Sequence, residues 1–159
     1  MRDQNAAIDA ITRALKPGGR FVFELGGKDN FRQIWNAAMQ ALSAMGVKGP
    51  EKLSPWFYPS IGEYAPMLES RGLRLTFAVL FDRPTALEGG AQGLRAWLEM
   101  FGTFASNVLR PEQREELMLR IEAIARPALF HDGQWTVEYK RLRMIAVKQK
   151  NRPRAVKIR

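Results

Sequence analysis

Few side chains in this sequence can do covalent chemistry. It has no cysteine and one histidine, His131. Thiolate nucleophiles, disulfide frameworks and thiolate zinc sites are therefore excluded, and no metal-ligand spacing is present. A Ser-His-Asp triad could form only around His131, which stands in His131-Asp132-Gly133, a sequence that reads as a turn. The other candidates would bind and orient rather than attack. Glu24 closes the apolar run 20–25. Ligands of open α/β sheets sit beyond the carboxyl ends of strands, so Glu24, Leu25 and Gly26 fall near a site. Glu24 would either face a pocket, orient a neighbour or hold a helix cap. Trp56, Phe57 and Tyr58 make either an aromatic wall or a hydrophobic plug under a proline-rich loop. Arg83 either pairs with an acidic ligand or is a surface arginine at a strand end. Trp97, at helical spacing, is either core or a lid. Lys28 and Asp29 beside a helix start could hold an anion, although capping accounts for Asp29 better.

The elements that position these residues follow from periodicity. Ala7, Ile8, Ile11, Ala14 and Leu15 draw one stripe on a helix over 5–15. Pro17 stops it, and Gly18-Gly19 can adopt the positive φ of a C-terminal cap. Residues 20–25 hold Phe21, Val22 and Phe23 without alternation, the habit of a strand covered on both faces. Gly26-Gly27-Lys28-Asp29 leads into a helix lined by Phe31, Ile34, Trp35, Ala38, Leu42 and Met45 and ended by Gly46. The loop 47–59 precedes a capping-box pattern, Ser60 and Glu63, that opens a short helix ending at Gly72. Leu73, Leu75, Phe77, Val79 and Phe81 alternate as a strand, which Asp82-Arg83-Pro84 closes. Two helices follow, one with Leu94, Trp97, Leu98, Phe101 and Ala105, the other with Pro111 in its first turn and Leu117, Ile121 and Ile124 inward. The last strand, 135–148, shifts its apolar parity from odd (Trp135, Val137, Tyr139) to even (Leu142, Met144, Ala146), which predicts a bulge near Lys140.

At 159 residues and 46% hydrophobic content the chain is the size of one domain with a fillable core. No run approaches the roughly 18 apolar residues of a membrane span, and the N-terminus lacks a signal peptide's apolar core. A cytoplasmic location is the expectation. The net charge of +9 is concentrated at the C-terminus: Lys140, Arg141, Arg143, Lys148, Lys150, Arg152, Arg154, Lys157 and Arg159 occur with no acid among them. Residues 149–159 form a basic tail, either a solvated terminus or a nonspecific contact for polyanions.

The run Leu15-Lys16-Pro17-Gly18-Gly19-Arg20-Phe21-Val22-Phe23-Glu24 behind an amphipathic helix resembles the turn into the fifth strand of class I S-adenosylmethionine-dependent methyltransferases. The resemblance covers residues 1–148 and is to the C-terminal half of that fold. It implies an α/β architecture: a partial Rossmann-like sheet of three strands, flanking helices and a two-helix insertion. The last strand, antiparallel, should insert between 20–25 and 73–81. Pro55-Trp56-Phe57-Tyr58-Pro59-Ser60, Phe81-Asp82-Arg83-Pro84-Thr85-Ala86-Leu87 and Gly93-Leu94-Arg95-Ala96-Trp97-Leu98 resemble the small-molecule branch that includes trans-aconitate methyltransferase. The resemblance implies a small-molecule methyl acceptor, a carboxylate among the candidates, in a pocket lined by Glu24, Trp56, Tyr58, Arg83 and Trp97.

It also implies S-adenosylmethionine as cofactor, yet the glycine-rich turn that would hold it is missing. No Gly-x-Gly occurs, and Gly18-Gly19, Gly26-Gly27 and Gly89-Gly90 each read as a turn. No cofactor-binding residue is identifiable. The expectation is a chain truncated by an internal start or a split gene. Two alternatives stand beside it. One is a non-catalytic remnant that self-associates through the exposed edge of its first strand. The other is nucleic-acid binding through the basic tail, ranked last because no aromatic platform is interleaved with its charges.

Overall fold

A computed structural model of the chain describes residues 3–105 and 108–150. Its elements are α1 (Gln4–Ala14), β1 (Arg20–Gly26), α2 (Arg32–Ala44), α3 (Ile61–Glu69), β2 (Leu73–Ala86), α4 (Gly93–Phe101), α5 (Pro111–Leu129), β3 (Phe130–His131) and β4 (Gln134–Lys148), with short 3₁₀ turns at Pro50–Leu53, Gly90–Gln92 and Gly102–Ala105. The strand order is β1-β4-β2, so the last long strand lies between the other two, as expected. It runs antiparallel to β1, from Arg20 opposite Val147 to Gly26 opposite Arg141.

The chain forms two compact units. Over the described residues, the first comprises 3–28, 59–81 and 141–150. Its core holds Ile8, Tyr64, Leu68, Leu73, Leu142, Met144 and Ala146, with Phe21, Phe23 and Leu25 packed against it. Asp3 caps α1 through Ala6 N–H at 2.9 Å. The glycines after α1 do not cap it. Leu15 is the C-cap, with extended backbone. Instead Gly19 N–H donates to Lys16 O at 2.8 Å and Gly18 has φ 81°. That is a type II turn with Pro17 and Gly18 at its centre. The ammonium of Lys148 finishes the helix, donating to Thr12 O at 2.6 Å and Leu15 O at 2.7 Å. A cation there satisfies terminal carbonyls and suits the helix dipole. The Ser60–Glu63 capping box opens α3 as the sequence implies.

The second unit comprises Asp29–Tyr58 and Asp82–Lys140. Its core joins Ile34, Ala38 and Leu42 of α2, Leu94, Trp97 and Leu98 of α4, Leu117 and Ile121 of α5, and Trp135 and Val137 of β4. The three-strand count needs correction: β3 is a fourth, two-residue strand pairing Phe130 with Trp135 and His131 with Gln134. His131 therefore belongs to a strand, and the turn is Asp132-Gly133, both at positive φ (50° and 78°) as a two-residue hairpin demands. A strand so short carries no alternation to read.

One other boundary moves. Residues Asp82, Arg83 and Pro84 do not close β2, which continues to Ala86; an edge strand tolerates the absence of a proline N–H donor. Its alternation also lapses, because Phe77 is 46% exposed while Leu75 and Ala78 pack against the core. The parity shift in β4 is present: Trp135 and Val137 are buried on one side of it, Leu142, Met144 and Ala146 on the other. The basic residues after Lys150 lie outside the described residues.

Candidate functional site: a charged cleft over an aromatic cluster

The loop after β1 is tightly built. A Cβ on Gly27 would lie 2.3 Å from Leu80 Cδ1 and 3.2 Å from Leu142 Cβ, so any larger residue needs Leu80 to turn aside and Leu142 to give by a few tenths of an ångström. Asp29 and Phe31 then both adopt left-handed backbone, φ 67° and 40°. For a bulky residue this is strained. Phe31 is held there by rings on three sides: Trp56 at 5.1 Å, Tyr58 at 5.3 Å and Trp97 at 5.2 Å, all edge-to-face. Trp35 and Phe104 extend the cluster.

Phe31 is also the N-cap of α2 and has no side-chain oxygen to offer. Glu138 of β4 supplies one instead, its Oε1 accepting from Gln33 N–H. Its backbone carbonyl takes the Phe31 N–H at 3.3 Å. Asn30, buried, accepts the Lys140 N–H on Oδ1 at 2.9 Å. The expectation that Asp29 caps the helix is thus replaced: Asp29 pairs with Arg32 at 3.7 Å, and the capping carboxylate comes from 105 residues away.

These contacts enclose a cleft of about 270 Å³ lined by Asp29, Arg32, Gln33, Asp82, Pro84, Glu138, Tyr139 and Lys140. It carries both signs of charge, with Lys140 paired to Asp82 and Arg32 to Asp29. Glu138 Oε2 is buried and has no hydrogen-bond partner among the described residues. Tyr139 connects the cleft to the aromatic cluster, its hydroxyl accepting from Trp97 Nε1 at 2.6 Å. A second hollow of about 230 Å³, between α4 and α5, is lined largely by apolar side chains such as Leu98, Phe104, Leu117 and Ile121.

Of the residues singled out in the sequence, Trp56, Tyr58 and Trp97 come together around Phe31, in a close-packed cluster with a mostly buried Trp97. Arg83 is exposed between two cleft residues, Asp82 and Pro84. Glu24 belongs to the first unit, where Arg141 and Arg143 donate to its two oxygens at 3.0 and 2.8 Å. Those hydrogen bonds hold its carboxyl below the usual glutamate range. Arg32, Asp82, Glu138 and Lys140 were not foreseen as site residues. The one signal for the last two was their place at the parity shift of β4.

The glycine pairs do not form a cradle for a nucleoside cofactor. Gly18-Gly19 makes the type II turn, Gly27 is packed against Leu80 and Leu142, and Gly89-Gly90 opens a 3₁₀ turn at positive φ. The residues present therefore do not fit S-adenosylmethionine as a self-contained site. Among the described residues, no group of three or more His, Asp or Glu side chains could hold a metal ion, and no helix is long and apolar enough to cross a membrane.

No family model matches the sequence. The chain is 26% identical over 151 residues to an uncharacterized methyltransferase of Schizosaccharomyces pombe, covering 93% of this chain and 56% of that protein. The YcgJ protein of Bacillus subtilis superposes with a TM-score of 0.53 at 17% identity, over 94% of this chain and 59% of that one. A candidate methyltransferase of Bacillus halodurans gives 0.50 at 14% identity, over 92% and 58%. The chain thus spans a little over half the length of the proteins it matches, and over that span its fold is that of a class I methyltransferase.

Proposed function

We propose that this chain is the acceptor-binding portion of an S-adenosylmethionine-dependent methyltransferase acting on a small molecule, and that the grip on the cofactor lies outside it. One observation carries the reading: likeness to a methyltransferase runs through 93% of this chain but only 56% of the relative. The lack of a glycine cradle agrees with it. The chemistry asks little of these residues. When bound, S-adenosylmethionine supplies an already activated methyl group, and the protein's part is alignment and exclusion of water. The cleft at Glu138 is of small-molecule size, but Arg32 and Lys140 are already paired with Asp29 and Asp82 and Glu138 adds a third carboxylate, so its charge does not favour a carboxylate acceptor. A carboxylate acceptor needs no general base; a hydroxyl or amine would need one. The three sequence segments quoted above favour the branch that includes trans-aconitate methyltransferase, and a cytoplasmic location accords with this reading.

Calorimetry with S-adenosylmethionine tests it. The isolated chain should show no micromolar affinity, and micromolar binding would overturn the claim of incompleteness.

A second reading, self-association through β1, is favoured by the exposure of Val22, 59%, on an apolar strand at the end of the sheet order. Nucleic-acid binding gains no support from Arg141, Arg143 and Lys148, whose charges are engaged on Glu24 and on the end of α1.

A further inference from the structure

The cleft of the second unit sets three carboxylates, Asp29, Asp82 and Glu138, against two cations, Arg32 and Lys140. Arg32 is engaged with Asp29 and Lys140 with Asp82, so Glu138 is the charge left over. Its two oxygens differ. Oε1 accepts the Gln33 N–H at the start of α2. Oε2 is buried and has no donor among the described residues. A carboxylate oxygen taken out of water without a hydrogen bond is destabilising. The cleft that Glu138 lines holds about 270 Å³, several times the space that one water needs.

The classes of small ligand meet these groups differently. An ionised carboxylate or phosphate adds to the surplus negative charge and brings Oε2 no donor. A neutral alcohol brings one donor and leaves the charge uncompensated. An alkylammonium brings three N–H donors and one positive charge. It satisfies Oε2 through a charge-assisted bond and cancels the surplus in the same contact.

We propose that this cleft binds a small primary amine as its ammonium ion, with Glu138 Oε2 as the anchoring acceptor. The inference deepens the acceptor-binding reading and rests on it for the amine's being the group methylated. The binding itself needs neither the cofactor nor any residue outside this chain. Glu138 then serves two partners at once, α2 through one oxygen and the ligand through the other.

The test is titration of the full chain with propylammonium chloride, followed by the NMR shifts of two N–H groups. One is the Gln33 amide, which donates to Glu138. The other is the Trp97 indole, which donates to the cleft residue Tyr139. Both should move and saturate, with a dissociation constant of about 1–10 mM for so small a ligand. Tetramethylammonium, a cation without N–H, should bind at least tenfold more weakly, and propionate should not bind. Glu138→Gln keeps a carbonyl oxygen for the cap and loses the charge; it should bind propylammonium at least tenfold more weakly. Lys140→Met removes a cation and keeps the backbone N–H that donates to Asn30. It should bind several-fold more tightly, which a merely damaged cleft would not do. Shifts that do not saturate by about 100 mM, tetramethylammonium binding equally well, or a Glu138→Gln variant that binds as the wild type does would each overturn the proposal. Propionate binding in place of the amine would overturn it too, while leaving the acceptor-binding reading in force.

Discussion

Trp97 donates its indole N–H to the hydroxyl of Tyr139 across 2.6 Å, tying α4 to β4 within the second unit. Trp97 is 7% exposed and also meets the edge of Phe31. Tyr139→Phe keeps the ring and deletes the acceptor, leaving a buried indole N–H unpaired. A loss of about 1–3 kcal/mol is expected, read as a lower urea midpoint with an unchanged slope. A midpoint equal to wild type would show that the indole finds another partner.

Glu138 acts as a helix cap borrowed from a distant strand. Glu138→Ala should cost about 0.5–2 kcal/mol, the usual range for loss of an N-cap side chain. Glu138→Gln retains a carbonyl oxygen for Gln33 N–H and should cost less than half of that. Hydrogen exchange at the Gln33 amide separates the two variants: it accelerates in the alanine variant and stays slow in the glutamine one.

At Gly27 a methyl group is tightly placed, with Leu142 backbone nitrogen 3.3 Å from the position it would take. Leu80 can turn aside; the β4 backbone cannot. Gly27→Ala should destabilise by about 1–3 kcal/mol through overpacking. Gly46→Ala, where nothing lies within 4 Å but φ is 83°, should show the smaller cost of backbone strain alone, about 1 kcal/mol. Thermal denaturation of the pair compares the two effects directly.

Acid should reveal the Glu24 cluster. Hydrogen bonds from Arg141 and Arg143 depress this carboxyl in the folded chain, so its contribution is present above the ordinary glutamate range and is lost as pH falls through the folded-state value. Ser60 depresses Glu63 in the same sense through the capping box. Stability should therefore decline below about pH 4.5. Glu24→Gln should flatten that decline, so that mutant and wild type converge at low pH. Parallel curves would mean that Glu24 does not titrate abnormally.

The sequence was informative wherever one residue type does one local job. Pro17 with Gly18, Ser60 with Glu63, and Asp132 with Gly133 each mark a turn or cap that the structure contains, because the constraint lies within four residues. Strand order was legible through the resemblance rather than the pattern. The charged cleft was not legible, and the reason is distance. Glu138 caps α2, Lys140 meets Asp82 and Asn30, and Tyr139 meets Trp97, each across a separation in sequence that periodicity does not register. Phe31 is instructive in the other direction. Its spacing gave a core residue, which it is, but no pattern foretold left-handed backbone at a phenylalanine. Three surrounding rings decide that.

β4 serves two cores with two phases. Trp135 and Val137 point into one, Leu142, Met144 and Ala146 into the other, and the change of phase falls within Glu138, Tyr139, Lys140 and Arg141. A single-codon deletion on either side of that stretch would turn only its own half of the strand inside out. A deletion inside it would merge the two phases and spoil one core or the other. Scanning one-residue deletions along the strand should therefore divide the lesions into two classes, each recognisable by which set of tryptophan or methionine resonances collapses.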